Sequence, residues 1–274
     1  MLCFPNAKIN IGLNITEKRK DGFHNLETIF YPVSICDALE FTNLSAPNPN
    51  KPYTFHNSGI SVEVADEENI VIKAYELIRK DYQLPALQIH LHKNIPFGAG
   101  LGGGSADAAF MITSLNEAYN LNIPVEKQEE YASKLGSDCS FFIRNQPTFA
   151  YGRGELFKPV TLDLNNYFIL MIKPDIAVST AEAYANIRPH QPEASLLDLI
   201  QLPIKEWEGK IINDFEESIF PKHPELKKIK EEIYASGALY AAMSGSGSTI
   251  YGIFDKEPEA SPTLQKHFTW KGKL

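Results

Sequence analysis

Between residues 7 and 15 the chain alternates strictly, with Ala7, Ile9, Ile11, Leu13 and Ile15 on one side and Lys8, Asn10, Gly12 and Asn14 on the other. A period of two predicts a strand with one apolar and one polar face. Asp21-Gly22 is a strong turn signal. Residues 24–33 then read as a returning strand and 38–43 as a third, so a hairpin or meander opens the chain. Pro47, Pro49 and Pro52 with Asn48 and Asn50 mark a loop. Within 67–82 the apolar positions Ile70, Val71, Ala74, Leu77 and Ile78 have helical spacing. A short strand follows at 87–92. Helical patterns cover 105–120 and 125–135, the second ending near Gly136, and 141–143 and 149–151 are apolar patches of strand character.

Gly152 and Gly154 suggest a seam near 150–160. Beyond it, 167–172 reads as a buried strand, and 180–186, 195–199, 213–220 and 224–235 read as helical. Two strands, 239–243 and 249–254, are joined by the small-residue turn 244–248. A short helix over 258–266 and a final strand close the chain. Strands and helices are mixed without a repeating unit, so the expected class is α+β in two domains, 1–155 and 156–274.

One stretch resists any ordinary element: Pro96-Phe97-Gly98-Ala99-Gly100-Leu101-Gly102-Gly103-Gly104-Ser105. Glycine loses the most backbone entropy on folding, so such a density needs a reason. A helix follows at once. Its first N–H groups lack intrahelical partners and carry partial positive charge, and glycines let that backbone wrap an anion. Phosphate binding is the expectation, with Ser105 as the cap of the helix; the competing view is a surface loop. The run also fits GxGxxG, but no strand leads straight into it and more helix follows where a second strand should end in an acidic residue. No Gly-Lys-Ser/Thr follows, and neither His-Arg-Asp nor Asp-Phe-Gly occurs.

Composition narrows the classes. The 274 residues are 43% hydrophobic and 22% charged, ordinary for a globular protein, with a formal net charge of -8. No basic block is present, so a nucleic-acid partner is not expected, and the cluster Lys18, Arg19, Lys20 is balanced by Asp21. No stretch approaches the roughly 18 apolar residues of a membrane span, and the first residues do not read as a secretory signal. Cys3, Cys36 and Cys139 are odd in number and far apart, which fits a reducing cytoplasm and neither a disulfide framework nor a zinc site. Cys139 reads as a small buried hydrophobe rather than a nucleophile.

The segment 96–109 resembles the ATP-phosphate loop of the GHMP kinase superfamily. Ala7-Lys8-Ile9-Asn10-Ile11-Gly12-Leu13, followed by Arg19-Lys20-Asp21-Gly22-Phe23-His24-Asn25-Leu26, resembles the branch acting on a cytidylated sugar alcohol. Leu135-Gly136-Ser137-Asp138-Cys139-Ser140-Phe141-Phe142 is similar to its catalytic-aspartate segment, and Met243-Ser244-Gly245-Ser246-Gly247-Ser248 to its third glycine motif. The four segments span nearly the whole chain in family order. The resemblance implies a two-domain fold with the active site in the interdomain cleft. It also implies transfer of the γ-phosphate of ATP to the 2-hydroxyl of a cytidylated methylerythritol, in the non-mevalonate isoprenoid route.

Roles follow from the same resemblance. Asp138 would accept the substrate hydroxyl proton, and Lys8 would reach both Asp138 and the reacting hydroxyl, keeping the aspartate ionised. Taken alone, Asp138 reads as a turn or helix cap and Lys8 as one residue of a solvated strand face. Asn10, Phe23, His24, Tyr184, Gly245 and Ser246 would bind substrate, with His24 on the cytosine edge and Phe23 and Tyr184 flanking the ring. The family more often has tyrosine at Phe23, and stacking needs only the ring face. Pro96, Gly98, Ala99, Gly100, Leu101, Gly102, Gly103, Gly104 and Ser105 would hold the ATP phosphates. Asn69, equally readable as a helix-start residue, and Lys93 would contact the nucleotide. Mg²⁺ is expected with ATP, held largely by phosphates, water and Ser105, with no pair of carboxylates set aside for it. A monomer or weak homodimer is expected. The alternatives are a homoserine- or mevalonate-type kinase, a nicotinamide-dependent oxidoreductase resting on GxGxxG alone, and a non-catalytic nucleotide binder.

Overall fold

A computed structural model describes residues 1–45, 48, 51–61 and 64–274. Pro47, Pro49 and Asn50 of the expected loop lie outside the described residues. The chain forms two compact units that are interleaved in sequence. Unit 1 comprises Met1–Ala7, Ile35–Phe97 and Gly102–Asn145; unit 2 comprises Lys8–Ser34, Gly98–Leu101 and Gln146–Leu274. Division by contact therefore does not coincide with a cut of the chain at 155/156.

Unit 1 is built on a four-stranded sheet of β1 (Leu2–Cys3), β4 (Ala38–Asn43), β5 (Tyr53–Gly59) and β6 (Leu87–Lys93), in the order β1-β4-β6-β5. β4 runs antiparallel to β6, and β5 runs parallel to it. Alternation in Leu87–Lys93 buries Leu87, Ile89, Leu91 and Lys93 on one face. That face is covered by α1 (Ile70–Asp81), α2 (Gly103–Ala118), α3 (Val125–Ser133) and the short α4 (Phe141–Arg144). The expected helix over 67–82 begins instead at Ile70 after a 3-10 turn, because Asn69 accepts a hydrogen bond from the Val71 N–H and caps it. Val71, Ala74, Tyr75 and Ile78 form its buried stripe and meet Met111, Ile112 and Leu115 of α2 in one core. Ala106, Ala108 and Ala109 are fully buried and keep α2 slim enough to pack closely. Residues 141–143 form a helical turn, not a strand. Phe141 and Phe142 both face inward, and the turn stops at Asn145 in the left-handed region. A three-residue apolar patch carries no period, so packing decides its conformation.

Unit 2 holds two sheets. One contains β2 (Asn6–Lys18), β3 (His24–Cys36), β7 (Thr148–Tyr151) and β8 (Leu156–Pro159), in the order β2-β3-β7-β8. The opening is thus a hairpin and not a meander, since β4 pairs in the sheet of unit 1. Gly152 and Gly154, both at positive φ, close the β7–β8 hairpin, which is what the seam near 150–160 turns out to be. The other sheet orders β10 (Tyr240–Met243), β11 (Ile250–Phe254), β9 (Phe168–Lys173) and β12 (Phe268–Lys273) as β10-β11-β9-β12, all antiparallel. Short helices α5 (Thr180–Tyr184), α6 (Leu196–Leu199) and α7 (Phe215–Ile219) precede α8 (Pro224–Ala235), whose Leu226, Ile229 and Ile233 pack into a core with Leu170, Ile172 and Ile250. The expected helix over 258–266 shrinks to a 3-10 turn at Leu264–Lys266. Among the described residues no helix is long and apolar enough to cross a membrane.

Candidate active site

β2 carries the first surprise. Its polar positions do not face water: Lys8 and Asn10 are each 3% exposed. A buried ammonium must be partnered. Lys8 Nζ donates to Asn10 Oδ1 at 2.6 Å and to the Gly100 carbonyl at 3.1 Å, and it stands 4.9 Å over the Phe30 ring. Asn10 Nδ2 in turn donates to Thr28 Oγ1, and the Asn10 carbonyl accepts from the Tyr251 hydroxyl. A solvated-face reading of Lys8 is excluded.

The same carbonyl of Gly100 accepts from Ser244 Oγ at 2.8 Å. The backbone closes on itself here: a Cβ on Gly100, whose φ is +75°, would come within 2.0 Å of the Ser244 carbonyl oxygen. Gly245, at φ +55°, sits against Asn10 Oδ1 and the Gly100 backbone. Asn213 fixes this turn by donating through Nδ2 to the carbonyls of Met243 and Gly245. Lys8, Asn10, Gly100 and Gly245 are therefore neighbours, and Ser246 is half-buried on the same turn. Ser244 of the third glycine motif, together with Asn213 and Thr28, completes the arrangement, and no sequence pattern marks Asn213 or Thr28 as part of a site. Asn213 followed by Asp214 offers only a helix-start signal there, which it also satisfies by accepting from the Phe215 N–H.

In unit 1 the exit of the glycine run becomes α2. Its N-cap is Gly102, at φ 71° in the left-handed region, and no side chain caps it. Ser105 is a residue of the first turn rather than the expected cap. Left-handed backbone is what glycine supplies without strain. Ser105 lies beside the aspartate segment: a Cβ on Gly136 would be 3.2 Å from Cys139 Sγ and 4.0 Å from Ser105 Oγ. Asp138 is half-buried next to them, and its Oδ1 accepts from the Ser137 hydroxyl. Burial pushes the Cys139 thiol up to about 11, which leaves it a poor nucleophile.

Lys93, expected over the nucleotide, is 4% exposed, and its Nζ is bound by Asp37 and by Asp107 Oδ2. Asn69 uses Oδ1 as the cap of α1 and is 6% exposed. On the expected cytidine side, His24 and Tyr184 stack with centroids 4.8 Å apart and 25° between planes. Burial, and then the charge of Lys18, lower the His24 pKa, so the ring stays neutral and can accept or donate at an edge. Phe23 is 54% exposed, with the Arg153 guanidinium 5.1 Å from its ring centre.

Residues 69–153 match the GHMP kinases N terminal domain, and 203–267 match the GHMP kinases C terminal domain. The solved mevalonate kinase of Methanococcus jannaschii shares the fold, with a TM-score of 0.71 at 12% identity, over 100% of this chain and 98% of its own. Fold and matched domains define a GHMP kinase. A solved 4-(cytidine 5'-diphospho)-2C-methyl-D-erythritol kinase is similar over 99% of this chain and 98% of its own, with a TM-score of 0.79 and 29% identity. The 4-diphosphocytidyl-2-C-methyl-D-erythritol kinase of Bacteroides thetaiotaomicron is 53% identical across 276 residues, covering 100% of both chains. That of Bacteroides fragilis is 54% identical over 257 residues, 94% of this chain and 93% of its own. The chain belongs to the 4-diphosphocytidyl-2-C-methyl-D-erythritol kinase family.

Proposed function

We infer that this protein transfers the γ-phosphate of ATP to the 2-hydroxyl of 4-diphosphocytidyl-2-C-methyl-D-erythritol, a step of the non-mevalonate route to isoprenoid precursors. Phosphoryl transfer asks the protein for positioning and charge stabilisation rather than covalent chemistry. The observation that carries the assignment of roles is that Cys139 Sγ and Ser105 Oγ converge on Gly136, 3.2 and 4.0 Å from where a Cβ there would stand. It sets the segment of Asp138 against the N-terminus of α2, where phosphate oxygens find N–H donors.

In this reading the run 96–105 holds the ATP phosphates through its backbone, and Asp138 accepts the hydroxyl proton. Lys8, held by Asn10, supplies positive charge where charge builds up on the reacting oxygens. His24 and Tyr184 receive the cytosine by edge and face, with Phe23 as a second ring. Gly245 and Ser246 contact the substrate, and Asn69 and Lys93 lie on the nucleotide side. Among the described residues no group of three or more His, Cys, Asp or Glu side chains is arranged to hold a metal ion. Mg²⁺ arriving on ATP would be held largely by phosphate oxygens, water and Ser105, and would help neutralise the phosphate charge. Three free cysteines suit the reducing cytoplasm, and a monomer or weak homodimer is proposed.

The test is an ADP-release assay with the cytidylated methylerythritol beside mevalonate and homoserine. Turnover confined to the cytidylated compound is expected. Preference for either of the others would replace the substrate and keep the reaction class.

A further inference from the structure

Two carboxylates and one ammonium are buried together in unit 1. Asp37, Lys93 and Asp107 are 1%, 4% and 2% exposed. A surface pair would contribute little, but here each group is out of water and must be matched. Lys93 ends β6, immediately before the segment that enters the glycine run. Asp37 lies between β3 and β4, and Asp107 is in the second turn of α2.

The hydrogen bonds give the group a direction. Asp37 Oδ2 accepts from Lys93 Nζ, while its Oδ1 accepts from the Asn94 and Ile95 N–H groups at 2.6 and 2.8 Å. Both oxygens of Asp37 are therefore engaged, and it fixes the backbone by which the chain enters the run. Asp107 Oδ2 accepts from the same Lys93 Nζ at 2.7 Å, which ties down the helix by which the chain leaves the run. Gly103 has no room for a side chain beside this ammonium, since a Cβ there would lie 2.9 Å from Ile95 Cγ2 and 3.4 Å from Lys93 Nζ. Asp107 Oδ1 has no hydrogen-bond partner. A buried carboxylate oxygen without a donor is costly, which favours the neutral acid at this position. Burial pushes the Asp107 pKa up to about 8 against the pull of Lys93, and Asp37 adds to the rise. The Cys3 thiol is the further titratable group that senses Asp107.

We propose that Asp37 and Asp107 are positioning residues that clasp Lys93 and so hold together the entry and exit of the phosphate-binding run. This rests on the reading of 96–105 as the ATP-phosphate segment. The clasp stabilises the shape that nucleotide needs, so its loss weakens ATP binding and not the affinity for the cytidylated substrate. The two carboxyl groups differ in what replaces them. In Asp37→Asn the amide N–H₂ faces an ammonium or loses a backbone N–H, so it should not substitute. In Asp107→Asn the amide oxygen can keep Lys93 while its N–H₂ donates toward Asp37, so it should.

The experiment measures binding of a non-hydrolysable ATP analogue, KM for both substrates and kcat for Asp37→Asn, Asp107→Leu and Asp107→Asn. Asp37→Asn and Asp107→Leu should weaken analogue binding and raise KM for ATP about tenfold or more, as expected for breaking a buried charged network. KM for the cytidylated substrate should stay within about twofold, and Asp107→Asn should restore ATP affinity to within about threefold of wild type. For variants too unstable to purify, hydrogen exchange on the wild-type protein serves. The Asn94 and Ile95 amides and the first turn of α2 should be slowed together by the analogue. Unchanged ATP affinity in folded Asp37→Asn and Asp107→Leu, or amides that respond separately, overturns the clasp alone. Failure of wild type to bind the analogue at all removes the ATP assignment, and the clasp's purpose with it.

Discussion

At the residue scale, the site depends on polar groups that water cannot reach. Lys8 is the clearest case, because its charge is balanced by the oxygens of Asn10 and Gly100 and by the face of Phe30. Asp138→Asn should abolish phosphoryl transfer by three orders of magnitude or more, on the order expected for losing a central catalytic group, while leaving binding of an ATP analogue within about threefold. Retained turnover would remove Asp138 from the mechanism. His24→Ala should raise KM for the cytidylated substrate at least about tenfold, with KM for ATP unchanged, since only the pyrimidine edge is lost. Asp107 gives a pH dependence of opposite sign to the usual carboxylate. Its folded pKa, about 8, lies above its ordinary 3.8, so the folded state binds the extra proton between those values. Stability from this group is full below about pH 4 and declines as pH rises toward 8. Urea unfolding of wild type and Asp107→Asn across pH 5 to 9 should show the wild type losing stability relative to the variant on the alkaline side.

At the element scale, two turns and one helix start carry most of the precision. Gly100 is squeezed against the Ser244 carbonyl at a positive φ, so Gly100→Ala combines backbone strain with a backbone clash. It should lower kcat/KM at least about a hundredfold, in the range of a small misplacement of reacting groups. Activity near wild type would mean that this turn relaxes without consequence. The N-cap of α1 is a milder matter. Asn69→Ala should cost about 1 kcal/mol in an unfolding titration, and Asn69→Asp, which keeps the cap, separates that loss from any contact with the nucleotide base. The helix over 70–81 was legible because its apolar stripe repeats for three turns. The turn at 141–144 was not, because two adjacent phenylalanines read the same way on a strand, a helix or a core loop.

At the scale of the whole molecule, the chain weaves between its units. Leu13, Ile15 and Leu26 belong to a core with Leu170, Phe215 and Ile250, more than a hundred residues away. A fragment ending at residue 155 would keep β2 and β3 and leave that core without its other wall. It should show weak near-ultraviolet dichroism and bind a hydrophobic dye, whereas the full chain should unfold cooperatively. By itself the amino-acid order determined the mixed α+β class, the long helices, the strands 38–43 and 87–92, and a glycine-dense run leading into a helix, because periodicity and glycine density are local properties. Its four family segments also pointed to the substrate class. Tertiary structure alone decided that the polar face of β2 is buried, that Asn213 clamps the turn of Gly245, and that Asp37 and Asp107 share Lys93. Those facts rest on burial and on partners brought from distant parts of the chain, and a side chain's surroundings are not written in its neighbours in sequence.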